Sequence, residues 1–152
     1  MRETEREERE RVVAEAMAWL RTPYHPAQRV KGAGVDCAQL PAAVYHAAAL
    51  LGDIPLATYS PQWHLNQREE LYLGEVLKHA AEVPGPPLPG DFVLYRVGHC
   101  WAHGAIVIDW PTIIHAVSGR CVTLGDGLRD PLAKRPLGDR HPRFFTLWGA
   151  TA

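Results

Sequence analysis

The spacing of apolar residues along this chain changes from a helical period to a strand period. Residues 4–20 place Val13, Ala16, Met17 and Leu20 on one helical face, and Pro23 stops the run. Thr4 and Glu7 have capping-box spacing, while Glu5/Arg9 and Glu7/Arg11 are i,i+4 pairs with the acid first. The mixed charges of residues 2–11 read as a solvated helix face. Residues 22–35 contain two prolines and two glycines and read as a loop. A second helix is predicted over 36–52, with Leu40, Val44, Ala47, Ala48 and Leu51 on its apolar face and Gly52 as its terminator. Residues 53–67 are irregular and carry Tyr59, Trp63 and His64; a third helix is predicted over 68–80.

The string Pro-Gly-Pro-Pro-Leu-Pro-Gly at 84–90 separates this helical half from a strand half. Strands are predicted at 91–97, 103–109, 112–117, 120–124 and 144–148. Asp109-Trp110-Pro111-Thr112 forms one hairpin turn and Ser118-Gly119 another. Helices followed by an antiparallel sheet define an α+β layer architecture. The whole chain, residues 1–152, is read as a single domain.

Composition narrows the function. The 152 residues are 47 % hydrophobic and 22 % charged, as in a folded globular chain. A net charge of -1 gives no electrostatic footprint for nucleic acid or an anionic membrane. No apolar run is long enough for a membrane span. The charged N-terminus lacks the apolar stretch of a secretory signal, so synthesis in the cytoplasm without such a signal is expected. Three cysteines are an odd number, which leaves at least one thiol free; Cys100 and Cys121 are one available pair.

The chemistry centres on Cys37. Asp36 is a good N-cap residue, and Gln39 completes capping-box spacing, so Cys37 is expected at the first helical position. A helix N-terminus and a nearby imidazolium both favour the thiolate. The unpaired N–H groups of such a terminus also suit an oxyanion. A buried core cysteine fits the same segment. Pro41 sits just inside the helix, at the cost of a backbone hydrogen bond or a kink. His103 and His115 fall on neighbouring strands. A two-residue turn at Trp110-Pro111 sets Ile106 opposite His115 and offsets the two histidines; a longer loop brings them closer. A base within reach of the sulfur, and a second group to fix its tautomer, is what thiol catalysis needs. Ordinary half-buried histidines are the alternative. His99, Cys100, His103 and His115 are also metal-ligand types, but no Cys-x-x-Cys accompanies them. Tyr24 on the loop before Cys37, and Trp63, His64, Trp101 and Trp110, line a groove or pack inside.

Taken together, several strings resemble the NlpC-type cell-wall peptidases, a papain-like family. They are Trp19-Leu20-Arg21-Thr22-Pro23-Tyr24, Gly34-Val35-Asp36-Cys37-Ala38-Gln39-Leu40, Pro89-Gly90-Asp91-Phe92-Val93-Leu94-Tyr95, His103-Gly104-Ala105-Ile106-Val107 and Ile114-His115-Ala116. Residues 59–65 further resemble the phage-tail and gene-transfer-agent branch. The resemblance implies Cys37 as nucleophile, His103 as base and His115 as the orienting group. Tyr24, Asp36, Gln39, Trp63, His64 and Trp101 are then expected around the cleft. It implies hydrolysis of peptidoglycan stem peptides, typically between D-glutamate and a diamino acid, with no metal and no cofactor. Phage-tail or other particle proteins are the implied partners, with action at the bacterial wall. The chain departs from the family at Ala38-Gln39, where Ser-Gly is usual, and at Pro41.

Overall fold

The computed structural model describes residues 2–56 and 70–149. Helix α1 spans Glu3–Ala18 and α2 spans Gln39–Ala47, with the hairpin β1 (Arg29–Val30) and β2 (Gly34–Val35) between them. That hairpin lies within the predicted loop. Helix α3 covers Leu71–Leu77. The strands that follow are β3 (Ala81–Val83), β4 (Phe92–Val97), β5 (Cys100–Asp109), β6 (Thr112–Ala116), β7 (Val122–Asp126), β8 (Pro131–Leu132), β9 (Arg135–Pro136) and β10 (Arg143–Thr146). Six of them form one antiparallel sheet in the order β3-β10-β4-β5-β6-β7. The α+β architecture is as the sequence predicts.

Strand alternation gives this sheet two buried faces. One carries Ile106, Ile114 and Ala116 against Val12, Ala16, Leu40 and Val44 of α1 and α2, and Leu94 and Phe145 against Tyr72 and Leu73 of α3. The other carries Val93, Tyr95, Ala105, Val107 and Ile113, covered by Leu137. Burying each such aliphatic side chain contributes about 1.5–3 kcal/mol.

Helix α1 differs from the expectation in which face it buries. The inward residues are Arg9, Val12, Ala16 and Trp19, while Met17 is exposed. The cause is Arg9, placed by charge patterning on the solvated face. Its guanidinium instead pairs with Asp91 at 3.0 Å and donates to the Pro89 carbonyl at 2.9 Å. It also lies 4.1 Å from the Trp148 ring centroid. Glu5 pairs with Arg9 as expected, whereas Arg11 donates to the Ala48 carbonyl. The N-cap is Arg2, without a side-chain cap, so the Thr4/Glu7 box does not set the start. Helix α2 ends at Ala47, five residues before Gly52. Ala49 adopts φ 63°, and Leu50 and Ala49 N–H groups bond back to the Tyr45 and His46 carbonyls. That is a Schellman closure formed on alanine instead of glycine.

The β5–β6 hairpin sets the register of the two histidines. Asp109 pairs with Thr112 across Trp110-Pro111, as predicted. Between Val107 and Asp109 the ladder then shifts by one residue, so that Ile106 faces Ile114 instead of His115. A one-residue slip exchanges the faces of a strand. Without the bulge His115 would share a face with Ile106 and point away from His103. With it, His115 lies on the face of Ala105 and His103.

Because Arg9 and Asp91 are both buried, removing one partner strands the other charge. Arg9→Ala is expected to lower stability by about 3–5 kcal/mol. Urea denaturation reads this as a lower midpoint at unchanged slope; a loss under about 1 kcal/mol contradicts it.

Candidate active site

The turn into α2 positions Cys37. Asp36 Oδ1 accepts the N–H groups of Ala38 at 3.0 Å and Gln39 at 2.7 Å, and its carbonyl accepts that of Leu40 at 3.0 Å. Asp36 therefore acts as the N-cap and Cys37 as the first helical residue, although regular helix begins only at Gln39. Pro41 is the reason for that delay, since it has no N–H for the Cys37 carbonyl. The Tyr72 hydroxyl donates to that carbonyl instead, at 2.6 Å. So the cost expected from Pro41 is offset by a side chain 35 residues away, which the sequence did not suggest. Gln39 does not close a capping box: its Oε1 accepts from Arg29 Nε at 2.7 Å.

The sulfur sits at a gap in the sheet. Val107 directs its N–H and carbonyl to the β4 side, bonding Asp91 and Gly90. By alternation, the Ala102 carbonyl and Gly104 N–H point to the β6 side, where the pairing with β6 has ended at Ile106 and Ile114. Cys37 occupies this place. Its thiol lies 3.5 Å from the Ala102 carbonyl, and the Gly104 N–H hydrogen-bonds the sulfur. The nucleophile candidate thus touches β5 on both sides of His103. Gly104 has to be glycine, because a Cβ there would collide with the Tyr72 hydroxyl and with Phe92.

On the other side of β5, His103 Nε2 and His115 Nδ1 are 2.9 Å apart, with the rings edge to face at 74°. Both histidines are buried. The Tyr24 hydroxyl is hydrogen-bonded to the Cys37 thiol. Trp101 is half-buried, and its contacts go elsewhere: to the Glu70 carboxylate, the His141 carbonyl and the guanidiniums of Arg96 and Arg143. Trp63 and His64 lie outside the described residues. No disulfide joins any of the three cysteines, so Cys100 and Cys121 are not bonded to each other. Among the described residues no group of three or more His, Cys, Asp or Glu side chains is arranged to hold a metal. An apolar cavity of about 350 Å³, bounded by Ala38, Pro41, Tyr72, Val76 and Phe145, opens nearby. Cys37, His103 and His115 do not line it.

The electrostatics favour neutral groups. Burial pushes the Cys37 thiol up to about 12, and the Asp36 carboxylate adds to the rise; hydrogen bonds from Gly104 and Tyr24 oppose it. Burial, followed by the neighbouring His115 and Arg140, holds His103 well below its ordinary value. Burial also lowers His115 to about 4, against the opposing charge of Asp130. The expectation that the helix end would ionise Cys37 is not met, for a structural reason. Asp36 consumes the N–H groups of Ala38 and Gln39 and sets a negative charge where the helix dipole is positive. Those two N–H groups are not available to an oxyanion either.

No family model matches the chain, and no curated protein matches it significantly. Solved structures do. The NlpC/p60 domain of the peptidoglycan hydrolase SagA aligns over 91 % of this chain and 97 % of its own, with TM-score 0.59 and 18 % identity. RipB, a peptidoglycan hydrolase of Mycobacterium tuberculosis, aligns over 97 % of this chain and 68 % of its own, with TM-score 0.59 and 15 % identity. RipD of the same organism, described as a non-catalytic NlpC/p60 protein adapted to peptidoglycan binding, aligns over 91 % and 95 %, with TM-score 0.53 and 16 % identity. At these identities the likeness is one of fold: the chain has the papain-like α+β fold of NlpC/p60 domains.

With a protonated thiol at rest, Cys37 is expected to react with iodoacetamide at pH 7 more slowly than free cysteine. Its rate should keep rising above about pH 9. Alkylation followed by peptide mass mapping reads each thiol separately; a Cys37 rate already at its plateau below pH 7 contradicts the neutral resting state.

Proposed function

We propose that this chain belongs to the NlpC/p60 cysteine peptidases and hydrolyses amide bonds in peptidoglycan stem peptides, at the bond between D-glutamate and a diamino acid. The observation that carries this reading is the meeting of Cys37 with β5 on both sides of His103, whose ring is bonded to His115. Cys37 is the nucleophile, His103 the base and His115 the group that orients it. The neutral resting state assigns the proton transfer to the reaction step. As the sulfur attacks the carbonyl carbon, its proton passes to His103, and the imidazolium is stabilised by His115. Collapse of the tetrahedral intermediate gives the leaving amine that proton and leaves a thioester on Cys37. Water, deprotonated by His103, then releases the acid. The peptide N–H of Cys37 itself lies near the sulfur and is the donor of the first turn that Asp36 does not use.

Carriage on a phage-tail or gene-transfer-agent particle is the reading carried by residues 59–65, which lie outside the described residues. Among the described residues no helix is long and apolar enough to cross a membrane.

A second reading, a stem-peptide binding module without turnover, is favoured by the raised thiol and by the likeness to RipD. One experiment separates the two. Purified protein is incubated with sacculi and with a synthetic stem peptide, and products are identified by mass. Wild type is expected to release fragments cut at the D-glutamyl bond. Cys37→Ala should abolish release, His103→Ala should lower kcat by about 10²–10⁴, and Cys121→Ser should leave it unchanged. Binding of the peptide by wild type without any release supports the second reading and contradicts the first.

A further inference from the structure

The hydrogen bond between His103 Nε2 and His115 Nδ1 has a direction that the catalytic reading requires. For His103 to take a proton from Cys37 on Nδ1, its own proton must sit on Nε2. His115 must then accept on Nδ1 and carry its proton on Nε2. Something has to hold that tautomer, and the structure supplies a candidate beyond the three expected residues.

Gly125 on β7 lies on the sheet face of His115, two residues beyond Thr123, which pairs with His115. A Cβ added to Gly125 would fall 2.9 Å from His115 Nε2 and 2.8 Å from Asp130 Oδ2. The imidazole nitrogen and the carboxylate oxygen therefore lie on either side of that Cβ position, too far apart for a direct hydrogen bond but with only the glycine hydrogen in the space they share. Asp130 is fixed in place by the loop that bears it. Its Oδ2 accepts the Asp126 N–H at 2.8 Å, its own N–H bonds the Asp126 carbonyl at 3.0 Å, and its carbonyl accepts from Leu137 at 2.9 Å. Around the pair, His103 faces His115 from β5, and Tyr95 and Arg140 stand beside His103.

We propose that Asp130 is a positioning residue: the charge of its carboxylate, acting across Gly125, favours the His115 proton on Nε2 and so keeps Nδ1 free to accept from His103. The direction in which Asp130 acts on His115, favouring its protonated form, agrees with this placement. Asp130 takes no proton in the reaction. Its charge orders the two imidazoles and stabilises the imidazolium formed at His103, in the manner of a carboxylate behind a catalytic histidine. This inference rests on the reading of Cys37, His103 and His115 as one catalytic set.

Nitrogen-15 spectra of the histidine rings in the full chain report the tautomer of each imidazole directly. Wild type is expected to show His115 with its proton on Nε2. Asp130→Asn, which keeps an oxygen for the Asp126 N–H, should raise the Nδ1–H form of His115 about tenfold and lower kcat about tenfold at unchanged KM. Gly125→Ala, which drives a methyl between the two groups, should shift the tautomer the same way even if the Asp130 variant folds poorly. Asp126→Asn disturbs the same loop, whose Leu128 and Arg129 N–H groups it caps, and should leave the tautomer in place. The proposal is overturned by a wild-type His115 protonated on Nδ1, by no shift in Asp130→Asn and Gly125→Ala, or by an equal shift in Asp126→Asn. A wild type that hydrolyses nothing while the tautomer behaves as stated defeats the catalytic reading alone.

Discussion

Strand β5 is paired along different stretches of its two edges. Toward β4 its ladder runs from Cys100 to Ile106, and toward β6 it runs from Asp109 only as far as Ile106, opposite Ile114. Backbone donors and acceptors left inside a protein need partners. Here the Ala102 carbonyl and Gly104 N–H find one in the Cys37 thiol. The other arrangements around the site follow from that substitution of a side chain for a strand. Helix α2 must bring its first turn against β5, Gly104 must lack a side chain, and the Tyr72 hydroxyl fills the space above it while capping the Cys37 carbonyl. The bulge before Asp109 completes the set by turning His115 onto the face of His103.

The same turn determines the resting charge of the site. A helix N-terminus is an electropositive device, but Asp36 spends it on its own carboxylate and leaves Cys37 in an apolar, negatively biased setting. A protonated thiol beside a neutral histidine is less reactive toward adventitious electrophiles than a thiolate. In the proposed reaction its ionisation becomes part of the chemical step, driven by attack on a bound carbonyl and by the stabilised imidazolium. Asp36 both seats Cys37 and restrains its ionisation.

Much of this was legible in the residues. The change of period near residue 90 marks the boundary between helices and sheet, and the order Cys37, His103, His115 marks the candidate site. Other features had no local signature. The bulge near Ile108 carries neither glycine nor proline, so the turn at Trp110-Pro111 alone implied the opposite face for His115. Arg9 reads as one more charge on a surface helix until Asp91 and Trp148 come to it from the far end of the chain. Ala49 closes α2 in a conformation that glycine usually takes, because the fold over-determines it. Tyr72 acts through a contact that only the folded chain creates. Gln39 looked like a cleft residue from its place beside Cys37, but Arg29 holds its side chain.

The central claim is that the thiol lodged in the β5 gap carries out the reaction. Of the three cysteines, Cys37 is the one so placed. The most direct measurement is partial alkylation of the protein, with the modified fraction of Cys37, Cys100 and Cys121 quantified by peptide mass and compared with residual stem-peptide hydrolysis. The account predicts that activity falls in direct proportion to the fraction of Cys37 modified, whatever the state of the other two. Hydrolysis that survives complete modification of Cys37, or that tracks Cys100 or Cys121 instead, would contradict it.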